Sequence, residues 1–288
     1  MTKNHALLGI LWILCNNLVL CAQSTLVKHL THSMASYQVV FLYKIVVFVI
    51  IMCFVFYKGI SKVKTTKLPL HLLRASLSIS AGLLFTHGLK SLGFINAMAI
   101  AYTEPLFATC FAVIIFKERL NIYLFLVILI GFCGSMLVLK PHDINFNYNS
   151  LYVLAAAIIW ALDNVVIKQL GKTETKVQYL FYVSFFSIIY SAPYGIKTFV
   201  APELVQVPYL IAVALCYCVH LIAVFKAFQY ANISVLAPFD FSRLVFSMIL
   251  GYLTFGEVIE PSMLIGSIII ISSAVYIILY REKQKVIK

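Results

Sequence analysis

The sequence predicts an all-α integral membrane protein of ten transmembrane helices, arranged as two inverted five-helix repeats. Three observations carry this expectation. Of 288 residues, 62 % are hydrophobic and only 11 % charged, with a mean hydropathy of +0.99; that leaves too little polar surface to coat a soluble globule of this length. The apolar residues gather into ten segments of about 20 residues, the length a helix needs to cross a bilayer. Finally, a shift of 139 residues lays Gly88-Leu89 to Phe116-Lys117-Glu118 on Ala227-Phe228 to Phe255-Gly256-Glu257 without a gap, placing Phe107 on Phe246 and Glu104 on Arg243. A second match, at a shift of 140, sets Lys28 and Leu30 on Lys168 and Leu170, and Gln23 on Asp163. A one-residue loop insertion reconciles the two shifts. The repeats are placed at 1–142 and 143–288, and because five spans precede the second repeat, it enters the membrane the other way up.

The segments follow in order. The first, 6–28, carries Trp12, Asn16, Asn17 and Gln23; few charges precede it, no small-residue cleavage site follows, and it is too long for a signal-peptide core, so it is read as retained. Segment 36–57 holds Lys44 in an otherwise apolar run, and 70–90 holds His87. Segment 93–116 contains Asn96, Tyr102 and Glu104-Pro105, and 120–139 is apolar throughout. In the second half, 150–170 carries Trp160 and Asp163-Asn164; 178–198 follows, and 207–230 carries Tyr217 and His220. Segment 233–255 holds Pro238, Phe239, Asp240, Phe241 and Arg243, and 261–280 closes the set.

Charge placement orients the chain. With the N-terminus inside, sixteen Lys and Arg residues, Arg74 and Lys168 among them, lie on the inner side, against Lys28, Lys90, Lys140 and Lys197 outside. That asymmetry follows the positive-inside rule and puts both termini in the cytoplasm. The net charge of +12 is scattered over short loops, the pattern of topogenic charge rather than of a nucleic-acid-binding face. Seven cysteines, an odd number mostly within spans, make no disulfide framework. No histidine or cysteine spacing suits a metal, and no phosphate-binding glycine loop or nucleophile elbow occurs. Neither enzyme chemistry nor a cofactor is predicted.

The informative residues are the polar ones inside the spans: Lys44, Glu104, Asp163, Asp240 and Arg243, with Asn16, Asn17, Gln23, His87, Asn96, Asn164 and His220. An ionisable group at the centre of a spanning helix costs roughly 2.5–3.5 kcal/mol on insertion scales, so such groups face a cavity or a partner. Glu104 and Arg243 are mid-span at matched positions, where an inverted repeat brings equivalent residues toward its axis. Asp240 and Arg243, three residues apart, are expected on one helix face within pairing distance, either as a structural ion pair or as a clamp for a zwitterionic ligand. Pro105 and Pro238 each delete an intrahelical hydrogen bond, freeing a carbonyl for ligand or water. Asp163 beside Asn164 suits an amine or a relayed proton, and Lys168, five residues on, is poorly placed to pair with it. Tyr102, Tyr217 and Phe239 are candidates to stack on a planar ligand; packing and interface anchoring explain the other aromatics. His87 and His220 read as hydrogen-bonded core residues or as proton carriers.

Ten short spans in two halves, each closing on an apolar helix and a glutamate (Phe116-Lys117-Glu118-Arg119-Leu120 and Phe255-Gly256-Glu257), resemble the EamA family of the drug/metabolite transporter superfamily over essentially the whole chain. The resemblance implies two inverted repeats, a central cavity and alternating access in a bacterial cytoplasmic (inner) membrane, with small organic metabolites as cargo. Within that family the chain is similar to the S-adenosylmethionine uptake transporters of obligate intracellular bacteria. The segments that carry this are Leu72-Leu73-Arg74, Gly131-Phe132-Cys133-Gly134, Leu139-Lys140-Pro141-His142, Phe146-Asn147, Leu151-Tyr152, Ala155-Ala156, Asp163, Lys168, Lys226-Ala227-Phe228 and Ala237-Pro238. Where those relatives are expected to place an arginine and then an acid after the Ala-Pro of the ninth span, this chain has Asp240 and then Arg243, and Tyr43-Lys44 stands where the family commonly has an arginine.

The resemblance implies a secondary carrier, with S-adenosylmethionine or a similar amine-bearing metabolite as cargo. Glu104, Asp163 and Asp240 would attract its sulfonium or amine, with Asn164 beside them; Arg243 would hold a carboxylate, and rings would stack on a purine. Lys44 belongs to the same candidate set. The alternatives are an exporter of amino acids, drugs or other metabolites, and a non-transporting structural subunit of the membrane. A passive channel is disfavoured by the lack of a repeated filter or charged ring.

Overall fold

The computed structural model describes residues 3–31, 33–92, 100–117, 122–139, 148–197, 199–255 and 260–286. Among them the chain forms no strand and eleven α-helices: α1 (Lys3–Thr31), α2 (Ser36–Lys58), α3 (Leu68–Leu92), α4 (Glu104–Phe116), α5 (Ile122–Leu139), α6 (Tyr148–Thr173), α7 (Lys176–Lys197), α8 (Val207–Tyr230), α9 (Ile233–Asp240), α10 (Ser242–Phe255) and α11 (Pro261–Val286). Five stretches are long and apolar enough to cross a membrane: Ala6–Val27, Tyr37–Lys58, Tyr148–Thr173, Val207–Tyr230 and Ile233–Thr254, the last joining α9 to α10. Shorter apolar helices run over Glu104–Phe116, Phe125–Leu137 and Pro261–Tyr276. Asn96 and the first part of the expected fourth span, the His87 side chain, and the Glu118 and Gly256-Glu257 repeat ends lie outside the described residues.

Local chemistry sets the helix ends. α2 stops at Gly59, whose φ of 98° only glycine adopts freely and whose N–H donates back to Phe56 and Val55 carbonyls. α4 begins with Pro105 in its first turn, where a missing N–H costs nothing. It ends at Lys117, a non-glycine residue at φ 52°, donating its N–H to the Ala112 carbonyl.

The helices pack in pairs. α1 lies along α8 and α3 along α6; α2 faces α7 and α5 faces α11; α4 touches α6 and α9, while α9 and α10 rest on α1. Small residues let some pairs close tightly: a Cβ on Gly134 of α5 would stand 3.0 Å from the Gly266 carbonyl oxygen of α11, and one on Gly88 of α3 would stand 2.9 Å from the Asn149 oxygen of α6. The main apolar core runs through α1, α2, α4 and α6–α9, and a smaller one gathers Tyr102, Ile128, Ala237, Phe241 and Ile270. Outward, Leu11, Val49, Phe56, Ile114, Ile130 and Ile268 are exposed, while Asn17, Lys44, His71, Arg74, Asp163 and Lys168 are buried. Apolar outside and polar inside is the arrangement of a chain whose outer face meets lipid.

Candidate functional site

Two helix interruptions position the first group of charges. In the first half, Tyr102 and Thr103 form a turn between the helical residues 100–101 and α4, with Thr103 Oγ1 donating to the Ile100 carbonyl at 2.6 Å. In the second half, Pro238 lies inside α9 and the helix is interrupted at Phe241. Tyr102 and Phe241 are themselves 139 residues apart, and their rings stack at 6.5 Å and 29°. Each interruption is followed two residues later by a charge, Glu104 or Arg243.

Glu104 Oε1 accepts a hydrogen bond from Asn164 Nδ2 at 2.8 Å. The Arg243 guanidinium lies 5.3 Å from the centre of the Tyr102 ring. Asp240 feels the charges of both Glu104 and Arg243, yet no ion pair joins any two of the three. The expected close pairing of Asp240 with Arg243 is therefore corrected: the chain stays right-handed helical through the turn at Phe241, yet no ion pair joins the two side chains, and the Arg243 guanidinium lies over the Tyr102 ring instead. All three are half-buried.

α1 is bonded to the elements around this group. His220 Nδ1 bonds Asn16 Oδ1 at 2.6 Å, Asn16 Nδ2 donates to Asn17 Oδ1 at 3.2 Å, and Asn17 Nδ2 donates to the Phe239 carbonyl at 2.9 Å and to Ser242 Oγ at 3.2 Å. Cys21 Sγ donates to the Arg243 carbonyl at 3.2 Å. The Phe239 carbonyl thus accepts from Asn17 as well as from the Phe241 N–H. The Phe239 ring is packed in the main core, 1 % exposed, so its contribution to the break is made by its backbone.

A second group of charges lies where α2, α3, α6, α7 and α8 converge. Lys44 Nζ sits 3.3 Å from the centre of the Tyr217 ring and 5.3 Å from that of Tyr43. Asp163 Oδ1 is 3.5 Å from Arg74 Nε, without hydrogen-bond geometry. The Arg74 guanidinium lies 5.5 Å from the Tyr179 ring centre, and the Tyr179 hydroxyl has no hydrogen-bond partner. Arg74 and Lys168, expected as cytoplasmic loop charges, are 3 % and 6 % exposed. This is a correction: Arg74 reaches inward from the second turn of α3 to Asp163, and Lys168 Nζ donates to Asn232 Oδ1 at 3.2 Å. Sequence reasoning missed Arg74 and Tyr179 as site residues. The signal for Arg74 was its place inside the apolar segment 70–90, unlike the true loop lysines before it.

Hydrogen bonds tie the two ends of the α2–α7 pair. At one end, Gln178 Nε2 donates to the Lys64 carbonyl at 2.6 Å, Thr65 Oγ1 donates to Glu174 Oε1 at 2.9 Å, and buried His71 Nε2 meets Glu174 Oε2 at 3.4 Å. At the other, Gln38 Nε2 donates to the Val200 carbonyl and Gln206 Nε2 donates to Ser33 Oγ at 3.1 Å. Gln38 and Gln178 are 140 residues apart.

Residues 7–140 and 148–279 each match the EamA-like transporter family. The chain belongs to that family. Among its relatives, an S-adenosylmethionine uptake transporter of Rickettsia bellii is 29 % identical over 281 residues, covering 98 % of this chain and 96 % of that protein. A riboflavin transporter of Vibrio cholerae is 25 % identical, covering 98 % and 96 %, and a pseudopaline exporter of Pseudomonas aeruginosa is 20 % identical, covering 93 % and 94 %. A solved crystal structure superposes with a TM-score of 0.82 at 15 % identity over 99 % of both chains; that likeness establishes a shared fold. The EamA match and the apolar helices together make this a multi-pass membrane transporter.

Proposed function

We propose that the chain is a secondary carrier that takes up S-adenosylmethionine, or a similar amine-bearing metabolite, across the bacterial inner membrane by alternating access. Its architecture in this reading is ten spans in two inverted repeats, 1–142 and 143–288, with both termini cytoplasmic. Several pairings support it. The α1–α8 contact has its counterpart in α3–α6, the contact expected when first and sixth, and third and eighth, spans are exchanged. The interruptions at Tyr102 and Phe241, and the bonds of Gln38 and Gln178, fall at repeat-related positions.

The observation that carries the function is the meeting of those interruptions, which gathers Glu104, Asp240 and Arg243, half-buried and with no ion pair between any two of them, beside Asn164. Unpaired charge in a membrane interior is costly unless a ligand or water completes it, and broken helices at repeat interfaces are where carriers hold cargo. Asp163, Asn164, Lys44 and Tyr217 extend the site, with Tyr102 beneath Arg243. Similarity to the Rickettsia transporters favours S-adenosylmethionine. Similarity to the pseudopaline exporter favours a second reading, export of an amino-acid-derived metabolite through the same site.

Counterflow tests the first reading. Proteoliposomes loaded with unlabelled S-adenosylmethionine should transiently accumulate the labelled compound above protein-free vesicles. No accumulation by folded, inserted protein rejects this cargo, and pseudopaline and amino acids are then assayed for exchange in the same vesicles.

A further inference from the structure

Apart from Lys168 and the His71–Glu174 pair, six ionisable residues of the interior fall into the two groups, and they divide unevenly. Around the helix interruptions stand two acids, Glu104 and Asp240, with one base, Arg243. At the convergence of α2, α3, α6, α7 and α8 stand two bases, Lys44 and Arg74, with one acid, Asp163. With acids ionised and bases protonated, the first group carries one surplus negative charge and the second one surplus positive charge. The groups adjoin, since Asn164, the neighbour of Asp163 on α6, donates to Glu104 at 2.8 Å.

The second group is incompletely satisfied. Lys44 is 9 % exposed and forms no ion pair; the faces of Tyr217 and Tyr43 are what surround its ammonium. Arg74 Nε, Asp163 Oδ1 and the Tyr179 hydroxyl are buried without hydrogen bonds. Tyr217, whose ring lies under Lys44, projects from α8 into the same convergence. Buried donors left without acceptors are costly, and a small oxyanion supplies several acceptor lone pairs at once.

We propose that Lys44 and Arg74, with the Tyr217 and Tyr179 hydroxyls, form an oxyanion subsite that receives the carboxylate or phosphate end of the cargo, while Glu104 and Asp240 receive its cationic end. The interior is a bipolar cradle for a zwitterion. Arg243, stacked over Tyr102 and flanked by two acids, tempers the anionic end rather than serving as the carboxylate clamp. This orientation rests on the carrier reading; the oxyanion subsite itself does not.

The test starts with purified protein in detergent at fixed ionic strength, following thermal stability as chloride is replaced by acetate or by phosphate. Wild type and Lys44→Arg should gain stability that saturates with the oxyanion, and Lys44→Met, judged folded by monodisperse elution, should not. A response to acetate alone assigns a carboxylate, and one to phosphate alone a phosphoryl group. No saturable response in wild type, or an equal response in Lys44→Met, overturns the subsite whatever the cargo. In counterflow, the decarboxylated analogue of S-adenosylmethionine should compete on the order of tenfold more weakly than the parent in wild type, and the difference should vanish in Lys44→Met. An analogue that competes equally well in wild type overturns the orientation and leaves the carrier reading standing.

Discussion

Removing the Asp163 carboxylate isolates a single interaction whose cost the structure bounds. In Asp163→Asn the Arg74 guanidinium, 3 % exposed and 3.5 Å from its partner, keeps its charge and loses its counter-ion beside a second cation, Lys44. At an effective dielectric of about 20 the lost attraction is about 5 kcal/mol, and breaking a buried pair from one side typically costs about 3–5 kcal/mol. For a chain of this size that corresponds to a fall in melting temperature of roughly 5–15 °C. The charge-neutral double variant Asp163→Asn/Arg74→Gln removes the stranded cation and should recover most of the loss, to within about 1–2 kcal/mol of wild type. Intrinsic fluorescence melts of the three proteins in one detergent make the comparison. A loss below about 1 kcal/mol in the single variant, or no recovery in the double, would refute the account of the pair as a buried interaction. Counterflow on the same proteins separates structure from binding: a purely structural pair predicts restored transport in the double variant, and a ligand-binding pair predicts that transport stays lost.

Other expectations follow from single contacts. Glu104→Gln keeps the acceptor for Asn164 Nδ2 and should fold with an unchanged melt while counterflow is abolished; if Glu104→Gln, Asp163→Asn and Asp240→Asn all retain transport, the carboxylates are not the cation-binding groups. Gly134→Ala forces a Cβ to 3.0 Å from the Gly266 carbonyl and should destabilise by about 1–3 kcal/mol, read from the same melts. Lys117→Gly relieves a left-handed residue at φ 52° and should raise stability by up to about 1 kcal/mol. Gln38→Ala removes one hydrogen bond, to the Val200 carbonyl, and Gln178→Ala removes three, one to the Lys64 carbonyl and two to Thr175, each worth about 1 kcal/mol, at opposite ends of the α2–α7 pair. A cysteine placed at Asn164 should therefore react several-fold faster with an impermeant thiol reagent from one face in the first variant and from the other face in the second; faster reaction from the same face in both would refute opposed closures.

The fold was legible because its causes are local. Long apolar runs mark helices, and the 139-residue shift that lays Glu104 on Arg243 also lays Tyr102 on Phe241, the two points where helices are interrupted. The candidate site was legible only in part. Lys44, Glu104, Asp163 and Arg243 stood out as ionisable residues deep in apolar segments. Arg74 and Lys168 did not, because near a segment end the same residue serves equally as a loop charge, and only the inward turn of its helix decides. The Asp240–Arg243 spacing misled for a different reason: i, i+3 neighbours share a helix face, yet the Arg243 guanidinium lies over the Tyr102 ring instead of pairing with Asp240. The Gln38 and Gln178 bonds could not be read at all, since each ends on a backbone carbonyl that carries no side-chain signature.

The stacked pair Tyr102–Phe241 has a mechanical meaning. Each ring grows from the residue at which its own helix is interrupted, and each bears on the other. A contact of this kind couples the two positions sterically: a change of angle at either would press its ring on the other. A Cβ on Gly131 would stand only 2.8 Å from the Phe241 ring, so the contact has a wall behind it as well. If the carrier proposed above works by alternating access, such a contact would make the two interruptions bend together.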